Sequence, residues 1–423
     1  MERRNFVGLS SFQFMVGARR GLFYGFLTLY MLEFLQRSFT EAMLIMALPL
    51  LANSLTQPFL WGPLSDKIGS RKIFIAIGEA IAGFAYIILS PPVWEFLTGL
   101  SVLRNKAEYA YFLIFGLTIL ESLWSMSNVG WSALLADLTT KEERGTIAGQ
   151  LNSMEAVGRI IGVFLGGIIY DYPYRAGGFE YLFYISSIIM FVSAIIILTM
   201  VKERRISRDL QSSNEKKLVE YNSMRWFYIF LIPLMLTSTA LASIRRIMTY
   251  YLRLALTATS FEMSLVINTA SLTQLLANPI VGKLSDKYGR LLILKFGFLL
   301  SAIACIFFTM PKNLLLLLPI SMFIGISRAI IFTSSYAYVA DRIPEEFRGR
   351  YFGRYNMANT ISFGVVPIIT AGILSDMLMR IYLKEGASML EAQELAMINV
   401  FYLSSILSLI GLIILIFYSR KYF

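Results

Sequence analysis

The residues of this chain that could do chemistry are arginines and glutamates set inside apolar runs. Arg19, Arg20, Arg159, Arg245, Arg246, Arg328 and Arg354 each fall within a long hydrophobic stretch, as do Glu79, Glu121 and Glu155. A charge at bilayer depth is costly, so it faces a water-filled cavity or an opposite charge and marks an ion or substrate path. Guanidinium groups bind carboxylate or phosphate through paired hydrogen bonds. A carboxylate placed between a cavity and an arginine can change protonation when a ligand binds. The sequence has no histidine, which removes the usual proton shuttle and most zinc sites, so a carried proton would ride on glutamate. The single cysteine, Cys305, reads as a small buried hydrophobe and offers no disulfide framework. With no nucleophile or metal constellation and no G-x₄-G-K-[ST] loop, neither enzyme activity, a cofactor nor ATP-driven pumping is expected.

Helical spacing sorts these groups. Gly17, Gly21 and Gly25 form a close-packing stripe, with Arg20 and Tyr24 one above the other about 100° to its side. Arg246 and Tyr250 repeat that pair in a later run. Arg19 stacks under Phe23 and Arg245 under Thr249, and adjacent residues cannot point the same way. Arg20, Tyr24, Arg246 and Tyr250 are therefore the expected substrate-facing set, joined by Arg328. Glu121, Ser125, Asn128 and Ser132 lie on one helical face, as a cavity wall requires. Glu121 is the first candidate for proton coupling; a permanent partner for an arginine is the alternative. Glu79 is a second candidate. Glu155 is a third, although its i, i+4 spacing from Arg159 predicts a local salt bridge beside Gly158, Gly162 and Gly166.

The elements that must hold these groups are membrane spans. Of 423 residues, 57% are hydrophobic and 15% charged, against about 25% charged in soluble proteins. Twelve spans are predicted, at roughly 6–35, 42–61, 73–90, 109–135, 146–170, 179–201, 226–254, 262–281, 291–310, 314–339, 350–374 and 398–418. The fold class is an all-α polytopic membrane protein. The first run lacks a small-x-small cleavage site and is read as a span rather than a signal peptide. With both termini on one side, that side carries about 22 of the 38 Lys and Arg, which marks it as cytoplasmic in a plasma-membrane protein. The net charge of +11 is thus dispersed by topology or buried, and nucleic-acid binding is not expected.

The chain repeats itself. The loop after span 2 reads Gly62-Pro-Leu-Ser-Asp66-Lys-Ile-Gly69-Ser-Arg71, and the loop after span 8 reads Gly282-Lys-Leu-Ser-Asp286-Lys-Tyr-Gly289-Arg290. The loops after spans 4 and 10 share A-D-x₆-R-G, with Asp137 and Arg144 in one and Asp341 and Arg348 in the other. Ser54-Leu-Thr-Gln57 recurs as Ser271-Leu-Thr-Gln274, and Gly167-Ile-Ile-Tyr-Asp171 resembles Gly372-Ile-Leu-Ser-Asp376. Two pseudo-symmetric six-helix halves, 1–201 and 226–423, are expected around a linker at 202–225.

In these paired loops and this layout the chain resembles the major facilitator superfamily over nearly its whole length. The resemblance implies a rocking, alternating-access transporter with a midplane site lined by spans 1 and 7. It implies a gating role for Asp66, Arg71, Asp137, Arg144, Asp286, Arg290, Asp341 and Arg348. Asp66 would latch onto the start of span 11 and Asp286 onto the start of span 5, each carboxylate facing a helix N-terminus. Two arginines facing each other in spans 1 and 7 resemble the superfamily's organophosphate transporters. The polar signature common in span 4 of the family is absent, since Trp124 stands there.

A secondary transporter of a small solute, proton-coupled and acting as a monomer in the lipid bilayer, is the expected function. The arginine excess favours an organic or phosphate-bearing anion. The aromatic content and Glu121 also fit a drug/proton antiporter, and sugar uptake is a further reading. A receptor on a transporter fold is the alternative of another class, though no segment is long enough for a soluble output domain.

Overall fold

The computed structural model describes residues 2–61, 63–64, 70–139, 141–172, 178–203, 225–310, 313–343 and 348–422, without the side chains of 58, 136, 141–146, 148, 348–350, 352 and 353. Among the described residues twelve long helical runs occupy the twelve predicted positions. They are α1 (Arg3–Tyr24, continued by Leu27–Leu29 and Tyr30–Phe34), α2 (Phe39–Thr56, continued by Gln57–Trp61), α3 (Arg71–Ile88), α4 (Lys106–Leu138), α5 (Lys141–Tyr170) and α6 (Phe179–Met200). The second half comprises α7 (Arg225–Leu256), α8 (Ser260–Tyr288), α9 (Arg290–Phe307), α10 (Leu314–Arg342), α11 (Arg348–Thr360, then Ile361–Val365, Ile368–Ile373 and Leu374–Lys384) and α12 (Met389–Tyr422).

Nine described helices are long and apolar enough to cross a membrane, or ten when α3 is joined to the short helix Pro91–Thr98, bent from it by 66°. α1 and α8 fall outside that count. α8 has 29 residues, about 43 Å at 1.5 Å per residue, and so is long enough to cross a hydrocarbon layer of about 30 Å. Its polar residues lower its hydropathy, as expected of a helix facing the protein interior. The span limits shift in places: α11 continues to Lys384 and α12 begins at Met389, so both are longer than their hydrophobic cores suggested.

Local chemistry explains where the helices start. Ser38 and Glu41 form a capping box at the start of α2, and Thr259 and Glu262 form the same box at the start of α8. These are equivalent places in the two halves. Gly289, at φ +94°, makes the turn from α8 into α9 that a residue with a Cβ would resist. Large apolar side chains such as Phe84, Phe115, Ile188, Phe296 and Phe417 point outward, as lipid-facing surfaces require. Cys305 is buried and free of any disulfide.

Within the first half α1 lies against α5. A Cβ added at Gly17 or Gly21 would strike the backbone of Glu155 or Arg159, and one added at Gly158 or Gly162 would strike Phe14 or Ala18. Both helices therefore approach at backbone distance, the arrangement that small residues permit in membranes. The halves meet where α5 packs on α8 and where α2 packs on Ile368–Ile373 of α11.

Candidate functional site

A central cavity of about 520 Å³ lies between the halves. Five arginines line it: Arg20 from α1, Arg159 from α5, Arg245 and Arg246 from α7, and Arg328 from α10. No described carboxylate is among its lining residues. Tyr24, Thr28, Thr249 and Gln274 add polar surface, and Phe332 and Phe363 stack at 5.5 Å on its wall.

The arginines differ in their partners. Arg20 Nη1 is 2.8 Å from Glu155 Oε1. Arg246 Nη2 donates to the Phe363 carbonyl at 2.8 Å, while its Nη1 is buried with no partner among the described residues. Burying a guanidinium nitrogen without a partner is unfavourable unless a ligand or water supplies the acceptor.

The expected pairing of Glu155 with Arg159 is corrected. The glycine contact between α1 and α5 brings Arg20 to Glu155, and Arg159 turns to the central cavity instead. Arg245 also lines the cavity, where helical angle alone had reserved that place for Arg246. Two adjacent arginines reach one cavity because long side chains swing back toward it from both flanks of the helix. Tyr250 sits elsewhere: it lines a second cavity of about 800 Å³ near the far end of α7, opposite the termini, and is hydrogen-bonded to Gln393 at 3.1 Å.

The glutamates are held, not free. Tyr24 Oη donates to Glu121 Oε1 at 2.6 Å, Asn53 Nδ2 donates to Glu121 Oε2 at 3.0 Å, and Arg19 Nη1 lies 3.7 Å from Glu121. Arg19 is fully buried; it donates to Tyr86 at 2.7 Å and stands over the Trp124 ring at 4.5 Å. Glu79 is fully buried, accepting from Trp124 Nε1 at 2.8 Å and Ser127 Oγ at 2.6 Å, and its Oε2 has no described partner. Tyr24 thus links the cavity wall to Glu121. A third cavity of about 230 Å³, lined by Arg20, Gln57, Asn128, Asn152 and Glu155, lies on the termini side of Arg20.

The repeated loops form matching ion pairs within each half. Arg71 Nε lies 3.8 Å from Asp137 between α3 and α4, and Arg290 Nε lies 3.1 Å from Asp341 between α9 and α10. Arg290 is also paired with Asp286. Asp66 lies outside the described residues, as do the side chains of Arg144 and Arg348.

Residues that spacing did not single out join the halves on the far side. Asp171 at the end of α5 accepts from the Ser260 N–H at 2.8 Å and pairs with Arg253 at 2.8 Å. Asp376 of α11 accepts from the N–H groups of Phe39 and Thr40, both at 2.9 Å. Arg253, near the far end of α7, is buried and also lies 3.3 Å from Glu33. The signal for the two aspartates was in the sequence, as the echo of Gly167–Asp171 in Gly372–Asp376.

Comparison with known proteins agrees with this architecture. The model of the Major Facilitator Superfamily matches residues 9–255 and again 232–422. The chain belongs to the major facilitator superfamily. It is 26% identical to the MFS-type transporter YuxJ of Bacillus subtilis, over 86% of this chain and 89% of that protein. It is 25% identical to the multidrug resistance protein MdtG of Proteus mirabilis, over 82% of each. Among solved structures, a bacterial homologue of the human lysosomal transporter Spinster, inward-facing and occupied, superposes with TM-score 0.78 at 11% identity, covering 99% of this chain and 96% of that one. The nucleoside transporter NupG superposes with TM-score 0.72 at 14% identity, covering 98% and 99%. A superfamily member is a multi-pass membrane transporter of small molecules; these likenesses give fold and family, and the cargo must come from the site.

Proposed function

We propose that this superfamily member is a secondary transporter of organic anions, phosphate-bearing ones included, working by alternating access. The observation that carries the reading is the central cavity, where five arginines meet, no described carboxylate lines the wall, and only Arg20 has a carboxylate partner among the described residues. Clustered guanidiniums repel one another in a low-dielectric setting, and a bound anion relieves that repulsion. The unpartnered Arg246 Nη1 supplies a donor for it, and the stacked Phe332 and Phe363 supply an apolar wall for its carbon skeleton.

Glu121 is the proposed proton carrier. Tyr24 touches it and also lines the cavity, so occupancy of the cavity can alter the hydrogen bonding of the carboxylate. Asp66, Arg71, Asp137, Arg144, Asp286, Arg290, Asp341 and Arg348 are proposed to gate the termini side as the halves rock; the in-half pairs Arg71–Asp137 and Arg290–Asp341 support that role by holding the loops of each half together. The termini side is taken as cytoplasmic on the excess of Lys and Arg there.

A second reading, export of drugs, is favoured by the names of relatives such as MdtG. Proteoliposomes holding the full chain decide between them. Movement of carboxyfluorescein and a labelled hexose phosphate is compared with movement of ethidium, with and without an imposed pH gradient. The anion reading expects the first two to move and Arg246→Gln to stop them. Movement of ethidium alone, sensitive to Glu121→Gln, would replace it with drug export.

A further inference from the structure

We infer that Glu155 is a built-in competitor of the transported anion: it occupies Arg20 while the cavity is empty and sets how tightly an anion binds. The inference rests on the anion reading of the central cavity and adds a specificity-determining residue to it.

Arg20 stands in the wall of two cavities. On one side are the four other guanidiniums of the central cavity; on the other is the smaller cavity that Glu155 also lines. Among the described residues, Arg20 is the one arginine of the five with a carboxylate partner. The pair is not sealed, since the side chains are 37% and 21% exposed. The neighbouring Arg19 is the contrast: at 0% exposure, between Tyr86, Trp124 and Glu121, it lines neither of these two cavities. The bases of Arg20 and Glu155 are fixed by the glycine contacts of Gly17 and Gly21 with α5, so the carboxylate is positioned rigidly.

An anion entering the central cavity meets four uncompensated guanidiniums and one that is already engaged. Drawing Arg20 toward the anion exchanges one ion pair for another, and the net affinity is the difference between the two. Glu155 thereby rejects weak anions that cannot outbid a carboxylate for Arg20. Its position outside the central cavity wall means that it acts through Arg20 and not by direct contact with the anion.

The test is binding of carboxyfluorescein to the purified full chain in nanodiscs, read by fluorescence anisotropy. Glu155→Gln is expected to lower Kd about fivefold, the scale of losing one partly exposed ion pair. Arg20→Gln raises Kd. The double variant Arg20→Gln with Glu155→Gln is expected to match Arg20→Gln, because the competitor has nothing left to hold. Glu155→Ser gives the same reading should the glutamine variant fold poorly, with monodispersity on gel filtration as the check. An unchanged Kd in Glu155→Gln overturns the inference. So does a gain that persists without Arg20, which would be simple removal of a negative charge. In both cases a loss of binding in Arg246→Gln leaves the anion reading standing. Failure of the wild-type chain to bind carboxyfluorescein while it binds ethidium overturns the anion reading and the inference with it.

Discussion

The Asp171 carboxylate at the end of α5 accepts a hydrogen bond at 2.8 Å from the backbone N–H of Ser260, the first residue of α8. The bond crosses from one half of the chain to the other. Asp376 of α11 repeats it in reverse at Phe39 and Thr40, the start of α2. Each carboxylate meets the positive end of a helix in the opposite half. Two symmetric contacts of this kind, one at each aspartate, tie the halves together on the side opposite the termini.

Asp171→Asn and Asp376→Asn should therefore loosen the far side. An aspartate at a helix N-terminus contributes about 1 kcal/mol, so each change shifts the balance between closed and open forms about fivefold. Spin labels at positions 106 and 384 report it: the distance distribution is expected to broaden toward longer values. An unchanged distribution in the double variant would show that packing alone closes this side.

Arg246→Gln and Arg328→Gln should each weaken anion binding about tenfold or more, the scale of a charge-assisted contact in a partly dry site. Thermal stability of the empty protein should not fall, because both changes relieve repulsion in the arginine cluster. Calorimetric titration and a melting curve on the same samples check both halves of the expectation.

Glu121→Gln keeps the shape of the side chain and its contact with Tyr24. It is expected to abolish uptake driven by a pH gradient while leaving exchange of internal for external anion intact. Loss of exchange as well would make Glu121 a structural partner of Arg19 and Tyr24.

Gly158→Val should be among the most damaging single changes. The added side chain drives into the Phe14 backbone on α1, and overpacking of this kind costs about 1–3 kcal/mol or prevents folding. Gly149, where an added Cβ meets nothing, is the control on the same helix. Melting temperatures in detergent distinguish the two.

The sequence by itself determined the membrane class, the twelve helical positions, the two repeated halves and the charges that fall inside the spans, because hydropathy and repetition are properties of the chain taken in order. It also held Arg20, Arg246 and Arg328 as cavity residues, since helical angle and span depth are local. Only the tertiary structure decided which charges meet. Glu155 chose Arg20 over its helical neighbour Arg159 because glycines let α1 and α5 touch. Arg253 turned inward because Glu33 and Asp171 converge on it from two other elements. Tyr250 left the arginine cavity for the one beside Gln393, since its distance from the midplane matters as much as its angle. Pairing of charges depends on how far helices approach and at what height, and both are fixed by packing between elements distant in the chain.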